Sequence, residues 1–429
     1  MKQRKRTQWL KLDNAAKIFP ATSGKRDTKV FRIACELTEP IDETMLNQAL
    51  ELTVGEFPVF QSVLRKGLFW YYFETVHQKL KVHKEDAPPC SPMYDENRKT
   101  FLFHVSYYNQ RINLEVHHVL TDGVGAKMFL TTLVCNYLKI AHSEELKDVE
   151  FAIGNDDASI EERLDDSFSR YYDNKEKESI EGDKEKRPKT AYRLHGPKLS
   201  ENRIKVVEGH IPVHEIKQCA KEQNASVTVY LTALIISAIG EAMTVREKRK
   251  PVGIMVPVNL RSYFKSSSIR NFFATINVVY DFSKESGEFK DILTKVEQCF
   301  KEELTEEKMR RNLNHNGALG NNPFTRFVPL AIKDFFIRIA YHLSDRQYTF
   351  SVSNIGIFTM PKEMESYIQS FSVFVSTKKK QACVCSFKDR LVIGFTSPLI
   401  STEVERNVFR KLTALGIDVE IAATSGWED

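Results

Sequence analysis

Two adjacent histidines, His117 and His118, precede an Asp122-Gly123 pair that begins four residues after the second of them. A neutral imidazole near its ordinary pKa can take a proton from a hydroxyl or an amine. The work requires one tautomer and one rotamer, and the flanking sequence supplies the rigidity. Ile112, Leu114 and Val116 alternate with Asn113 and Glu115, the period of a half-buried strand. Continued, the alternation turns His118 to the inward face and His117 to the polar face. Beyond the pair, Val124, Met128, Phe129, Leu133, Val134 and Leu138 recur at helical spacing. Thr121 or Asp122 stands at the N-cap and Gly123 permits the close turn. An inward His118 beside a helix start suits a general base. Asp122 orients backbone or pairs with a cation, and His117 supports the turn. Adjacent strand residues point apart, so the two histidines do not share a metal ion.

The string His117-His118-x-x-x-Asp122-Gly123 resembles the His-His-x-x-x-Asp-Gly signature of the thioester-dependent acyltransferases with the chloramphenicol-acetyltransferase-like fold. Alcohol acetyltransferases, wax ester synthases, plant acyltransferases and peptide-synthetase condensation domains belong to that superfamily. All four signature residues match. The resemblance implies an α/β, two-lobed pseudo-dimer with a channel between the lobes and His118 near its middle. It implies direct transfer of an acyl group, acetyl above all, from acyl-CoA to a small-molecule alcohol, with no resident cofactor and no metal. An amine acceptor, a donor on a carrier protein, and a non-catalytic ligand- or partner-binding member are the alternatives. In the family the motif acid is structural and pairs with an arginine. The matching stretch is Pro257-Val258-Asn259-Leu260-Arg261, followed by Asn271-Phe272-Phe273, with Arg270 where relatives carry glycine.

Composition bounds the rest. A chain of 429 residues predicts two or three domains, and 42% apolar with 28% charged residues is ordinary for a globular protein. A net charge of +5 is too small to argue for nucleic acid. The longest apolar run, Val229 to Ile239, is too short to span a bilayer. The basic start, Met1 to Arg6, lacks the apolar segment of a secretory leader. Seven scattered cysteines argue against a disulfide framework. Cys383 and Cys385 lack the spacing of a zinc pair and read as core. Unpaired thiols and thioester donors together point to the cytoplasm. No phosphate-binding glycine loop and no Gly-x-Ser-x-Gly elbow occurs.

The patterning predicts a first lobe over residues 1–154, a charged linker over 155–195 and a second lobe over 196–429. In the first, a strand at Lys29–Leu37 is followed by a helix that starts at Asp42 and by hairpins at 61–74 and 100–118. In the second, a strand at 203–212, a short helix and a buried helix capped by Ser226 precede strands at 252–257 and 272–282. Residues 310–323 read as an irregular loop, and Thr402 to Glu405 as a capping box whose helix ends before Gly416.

A thioester under attack develops an oxyanion that needs a donor about 3 Å away. Ser353 and Asn354, in a Ser-Asn-x-Gly turn like that of alcohol acetyltransferases and wax synthases, are the candidates, with Thr275 and Asn277 as weaker ones. Lys378, Lys379 and Lys380 are candidates for coenzyme A phosphates, against the plainer reading of solvated turn lysines.

Overall fold

The computed structural model describes residues 9–76, 78–151, 159–173, 190–321, 327–376 and 378–424. Residues 155–158 and 174–189 of the expected linker, and the basic Met1–Arg6, lie outside them. Among the described residues, eight helices have ten or more residues: α1 (Glu43–Glu56), α2 (Gly123–Ala141), α3 (Val213–Glu222), α4 (Val227–Ala242), α5 (Phe289–Glu303), α6 (Glu306–Asn321), α7 (Leu330–Asp345) and α8 (Glu403–Ala414). Asp42 caps α1 by accepting the Met45 N–H, and Ser226 caps α4 by accepting that of Val229. No single helix among them is long and apolar enough to cross a membrane.

The strands form three sheets. A small one runs β1 (Trp9–Lys11), β4 (Tyr71–Thr75), β3 (Ser62–Lys66). The sheet carrying the histidines runs β12 (Ile368–Val375), β2 (Val30–Leu37), β7 (Arg111–His117), β6 (Phe103–Tyr108), β5 (His83–Lys84). The largest runs β10 (Phe273–Tyr280), β9 (Val252–Asn259), β11 (Phe350–Phe358), β13 (Gln381–Phe387), β14 (Arg390–Ser397), β8 (Lys205–Pro212), β15 (Glu420–Ala423). This is the expected mixed α/β class. Two large cores follow the sheets, one around β2, β7, α1 and α2, the other around α4, α5 and α8. The division at 154 and 195 is crossed by β12, which pairs antiparallel with β2 of the first lobe.

Several elements differ from the sequence expectation. Strand β7 is buried on both faces. Its polar side is covered rather than solvated: Arg32 Nε donates to Glu115 Oε1 at 2.9 Å and Asn113 Nδ2 to Glu85 Oε2 at 3.2 Å. The stretch 310–321, expected as a loop, belongs to α6. Buried Met309 and Leu313, and Gly317 tight against the Tyr172 ring, outweigh the weak helix propensity of Asn and Gly. The Ser-Asn-x-Gly stretch is a bulge within β11, where Gly356 takes φ +83° and its N–H bonds Asn354 Oδ1 at 2.8 Å. The Thr402 box does not close, because Glu405 instead holds buried Lys380 at 2.6 Å.

The lobes are clasped by a fork. Arg111 on β7 donates to both Glu208 oxygens on β8, at 2.8 and 3.1 Å, and to Ser372 Oγ on β12. Burial alone would raise the Glu208 carboxyl; the Arg111 charge and hydrogen bonds reverse this and hold it below its ordinary value. Glu208→Ala leaves the half-buried Arg111 charge without its acid. Equilibrium denaturation of that variant is expected to show a loss of about 3–5 kcal/mol. Arg111→Met/Glu208→Leu, which removes both charges, is expected to lose much less.

Candidate active site

The turn after β7 is built around the Asp122 carboxylate. It caps α2, its Oδ1 accepting from Val124 N at 3.1 Å and Gly125 N at 3.2 Å. Its Oδ2 accepts from Arg261 Nη1 at 2.7 Å and from Phe272 N at 2.9 Å. Arg261 gives only one N–H to the acid. It also donates to the backbone carbonyls of Ser268, Arg270 and Phe272 and to Asn259 Oδ1, so it holds the whole 268–272 loop. That loop lies hard against the helix start: a Cβ at Gly125 would sit 2.1 Å from Ile269 O. Gly123 faces Ile355 of β11, whose Cδ1 a Cβ there would meet at 2.8 Å.

Between Arg270 and Phe272 the loop presents Asn271. Its Oδ1 lies 3.3 Å from His118 Nδ1, and its Nδ2 donates to Asp13 Oδ2 at 3.2 Å. Asp13 is fully buried and its other oxygen accepts the Ala16 N–H. The amide is therefore oriented by an acceptor on its NH₂ side, which leaves its oxygen facing His118. His118 is thus the Nδ1–H tautomer, with Nε2 carrying the lone pair. Phe19 stacks on its ring at 4.8 Å, and Phe31 and Phe273 lie at 4.9 and 5.8 Å. Burial pushes its pKa below 6.5, although Asp122 and Asn271 pull the other way. Half-buried His118 is therefore neutral at pH 7. Burial also pushes Asp13 up, to about 6, against the pull of Arg270.

His117 shares the side of β7 that carries Asn113 and Glu115, but that side is covered and the ring is fully buried. Its Nδ1 accepts the Val119 N–H at 3.1 Å and its Nε2 meets Ser23 Oγ at 3.0 Å. The two imidazoles thus have separate partners. Burial, His118 and Lys29 together push His117 down to about 3.

The other candidates separate by face. Paired strand residues share a side, so Asn277, Met255, Ser351, Gln381 and Thr396 form one row across the large sheet. Ser353 lies on the same side, as do Phe273 and Thr275. This side meets the first lobe: Gly394, paired through Cys383 with Ser353, abuts Val373 O of β12. Asn354 points to the opposite side, where its Nδ2 donates to Thr228 Oγ1 of α4 at 2.8 Å. Asn277 Oδ1, Ser351 Oγ and Thr396 Oγ1 are buried with no hydrogen-bond partner.

Lysines 378–380 are not equivalent turn residues. Lys380 is buried against Glu405, and Lys379 lies over the Tyr348 ring at 3.7 Å with its ammonium on Asp345. Lys378 is exposed. All three border a cleft of about 760 Å³ that also has Arg26, Arg193 and Lys198 in its wall. Lys29 bridges this cleft to the histidine. Its carbonyl accepts the His118 N–H at 2.7 Å, and its Nζ bonds Tyr341 OH, whose ring lies 5.4 Å from Lys378 Nζ.

In the sequence Asn271 stands beside Phe272 with no signal of its role, and nothing local marks Asp13, Lys29 or Phe19 as site residues. Asp13 is 258 positions from Asn271, and no local period marks such a contact. Arg270 was a clue: an arginine in a glycine's place needs an acid and acceptors. It finds Asp13 at 3.6 Å and Lys11 O at 2.6 Å.

No family model matches the sequence, and no curated protein is detectably similar to it. Solved structures are similar over nearly the whole chain. The first condensation domain of the calcium-dependent antibiotic synthetase gives a TM-score of 0.61 at 12% identity, covering 96% of this chain and 96% of its own. F. sporotrichioides TRI101, complexed with coenzyme A and T-2, gives 0.60 at 9% identity, covering 96% and 99%. TRI3 trichothecene 15-O-acetyltransferase from Fusarium sporotrichioides gives 0.57 at 11% identity, covering 96% and 94%. The chain therefore shares the two-lobed fold of these condensation-domain and acetyltransferase structures.

The buried His117 makes a pH prediction. Its pKa is lower folded than unfolded, so the unfolded chain binds more protons between pH 3 and 6.5. Its contribution is fully present above pH 6.5 and is lost as pH falls, by about 1.4 kcal/mol per unit. Urea titrations from pH 7 to pH 4 are expected to show a flatter decline for His117→Asn than for wild type.

Proposed function

We propose that the protein is an acyltransferase that moves an acyl group, acetyl above all, from a coenzyme A thioester to an alcohol, with His118 as general base. The observation that carries this reading is His118 itself: neutral, walled by Phe19, Phe31 and Phe273, with Nδ1 tied to Asn271. As the acceptor hydroxyl attacks the thioester carbonyl, Nε2 takes its proton. The tetrahedral intermediate then collapses, the C–S bond breaks, and His118 returns the proton to the leaving sulfur. Asp122, Gly123, Arg261 and His117 keep the base in place and do not themselves transfer protons.

Of the two oxyanion candidates, Ser353 is favoured. It lies on the sheet side that meets the first lobe, whereas both polar atoms of Asn354 are committed to Thr228 and Gly356. The unpartnered Asn277, Ser351 and Thr396 atoms on that side fit a wet, polar-walled channel. The basic cleft, with Lys378 at its rim and Arg26, Arg193 and Lys198 in its wall, suits the phosphates of coenzyme A. Lys380 is withdrawn from that role because Glu405 occupies its ammonium. Coenzyme A is present in the TRI101 structure, and TRI3 is an O-acetyltransferase, which supports the donor and the alcohol acceptor. Seven cysteines outside any disulfide fit a reducing cytoplasm.

The test is thiol release from acetyl-CoA and longer acyl-CoAs against a panel of alcohols and amines. Wild type is expected to turn over an alcohol, with kcat/KM rising with pH to a plateau and an inflection below 6.5. His118→Ala is expected to lose at least about 100-fold. Equal rates for wild type and His118→Ala would sink the mechanism. Release only from carrier-bound thioesters would assign the donor to a carrier protein.

A further inference from the structure

Helix α7 is amphipathic in the reversed sense. Its inward face carries Asp334, Tyr341 and Asp345 beside buried Leu330. Asp334 accepts from Tyr71 OH at 2.8 Å, Tyr341 donates to Asp27 at 2.9 Å, and Asp345 pairs with Arg193 at 3.1 Å. Its outward face carries Ile332, Phe335, Phe336, Ile339 and Leu343, exposed by 47, 58, 63, 43 and 56%. These positions follow a helical period, the pattern that normally marks a core-facing stripe. A contiguous apolar surface of this kind marks an interaction site.

Two features identify what covers it. First, the neighbouring turn extends the patch with interfacial residues. Leu330 N bonds Leu68 O, and Lys333 Nζ bonds Phe69 O at 2.8 Å, joining α7 to the β3–β4 turn, where Leu68 and Trp70 are 70 and 56% exposed. Tryptophan favours the level of lipid headgroups. Second, the charge left at this surface is positive. Both aspartates of α7 are buried and bonded, while Arg338 is exposed on the helix and Arg26 and Lys378 border the cleft at its C-terminal end. Apolar side chains framed by cations are the composition of a helix that lies in the plane of an anionic membrane.

We propose that the outer face of α7, with the β3–β4 turn, docks the protein on an anionic lipid bilayer. Arg338 Nε bonds Ala21 O of the short Ile18–Thr22 helix, whose Phe19 stacks on His118. Docking therefore sets the membrane on the Phe19 side of the histidine.

The test is co-sedimentation of the full chain with vesicles of phosphatidylcholine alone or mixed equally with phosphatidylglycerol. Phe335→Ser/Phe336→Ser is the comparison, because both side chains are exposed and the fold does not need them; circular dichroism checks that it is retained. Wild type is expected to bind the anionic vesicles, less so at high salt, and the double variant to bind roughly tenfold more weakly, since interfacial binding scales with buried apolar area. Equal binding by the two proteins, or wild type remaining in the supernatant, overturns the proposal. Dimerisation that is lost in the double variant, without vesicle binding, would assign the face to a second copy of the chain and also overturn it.

Discussion

The arrangement depends on one buried carboxylate. Asp122 takes two N–H groups from the start of α2, one from the backbone of Phe272 and one from the Arg261 guanidinium. An acid removed from water is costly unless its oxygens are filled, and here four donors from two lobes fill them. The same bonds fix the helix start that follows His118 and the loop that presents Asn271. Arg261 extends the constraint by taking the Ser268 and Arg270 carbonyls. The histidine's position is thus a consequence of satisfying Asp122.

A second layer sets which ring nitrogen of His118 is free. Asp13 fixes the Asn271 amide, and the Asn271 oxygen faces Nδ1. The phenylalanine walls add desolvation, which keeps the ring neutral. Arg270 compensates the charge of buried Asp13 at 3.6 Å. A glycine at position 270 would leave that acid without its cation.

Local signals in the sequence were sufficient where local physics decides. The alternation before His117, the apolar stripe of α2, the helix start at Asp42 and the Ser226 cap all read directly as elements. Burial depth was not legible. Asn113 and Glu115 look solvent-facing in β7, yet Arg32 and Glu85 cover them. Helix α6 looked like a loop because Asn and Gly signal breaks, while its stability comes from Met309 and Leu313 packed in the second core. Helix α7 went unread because its polar residues face in and its apolar ones out. Within the site, the motif exposed His118, Asp122 and Gly123. Asp13 depends on a contact across the chain that no period encodes.

The central claim is that burial keeps His118 neutral while a network anchored on Asp122 holds it in one tautomer. The direct measurement is ¹⁵N NMR of the histidine rings in wild type and Asp122→Asn, titrated from pH 8 to pH 5. In wild type His118 is expected to have a protonated Nδ1 and a bare Nε2 at neutral pH, and to titrate below 6.5. In Asp122→Asn the ring is expected to average between tautomers, as the 268–272 loop loosens. A wild-type His118 that carries its proton on Nε2, or one whose tautomer is unchanged in Asp122→Asn, would contradict the account.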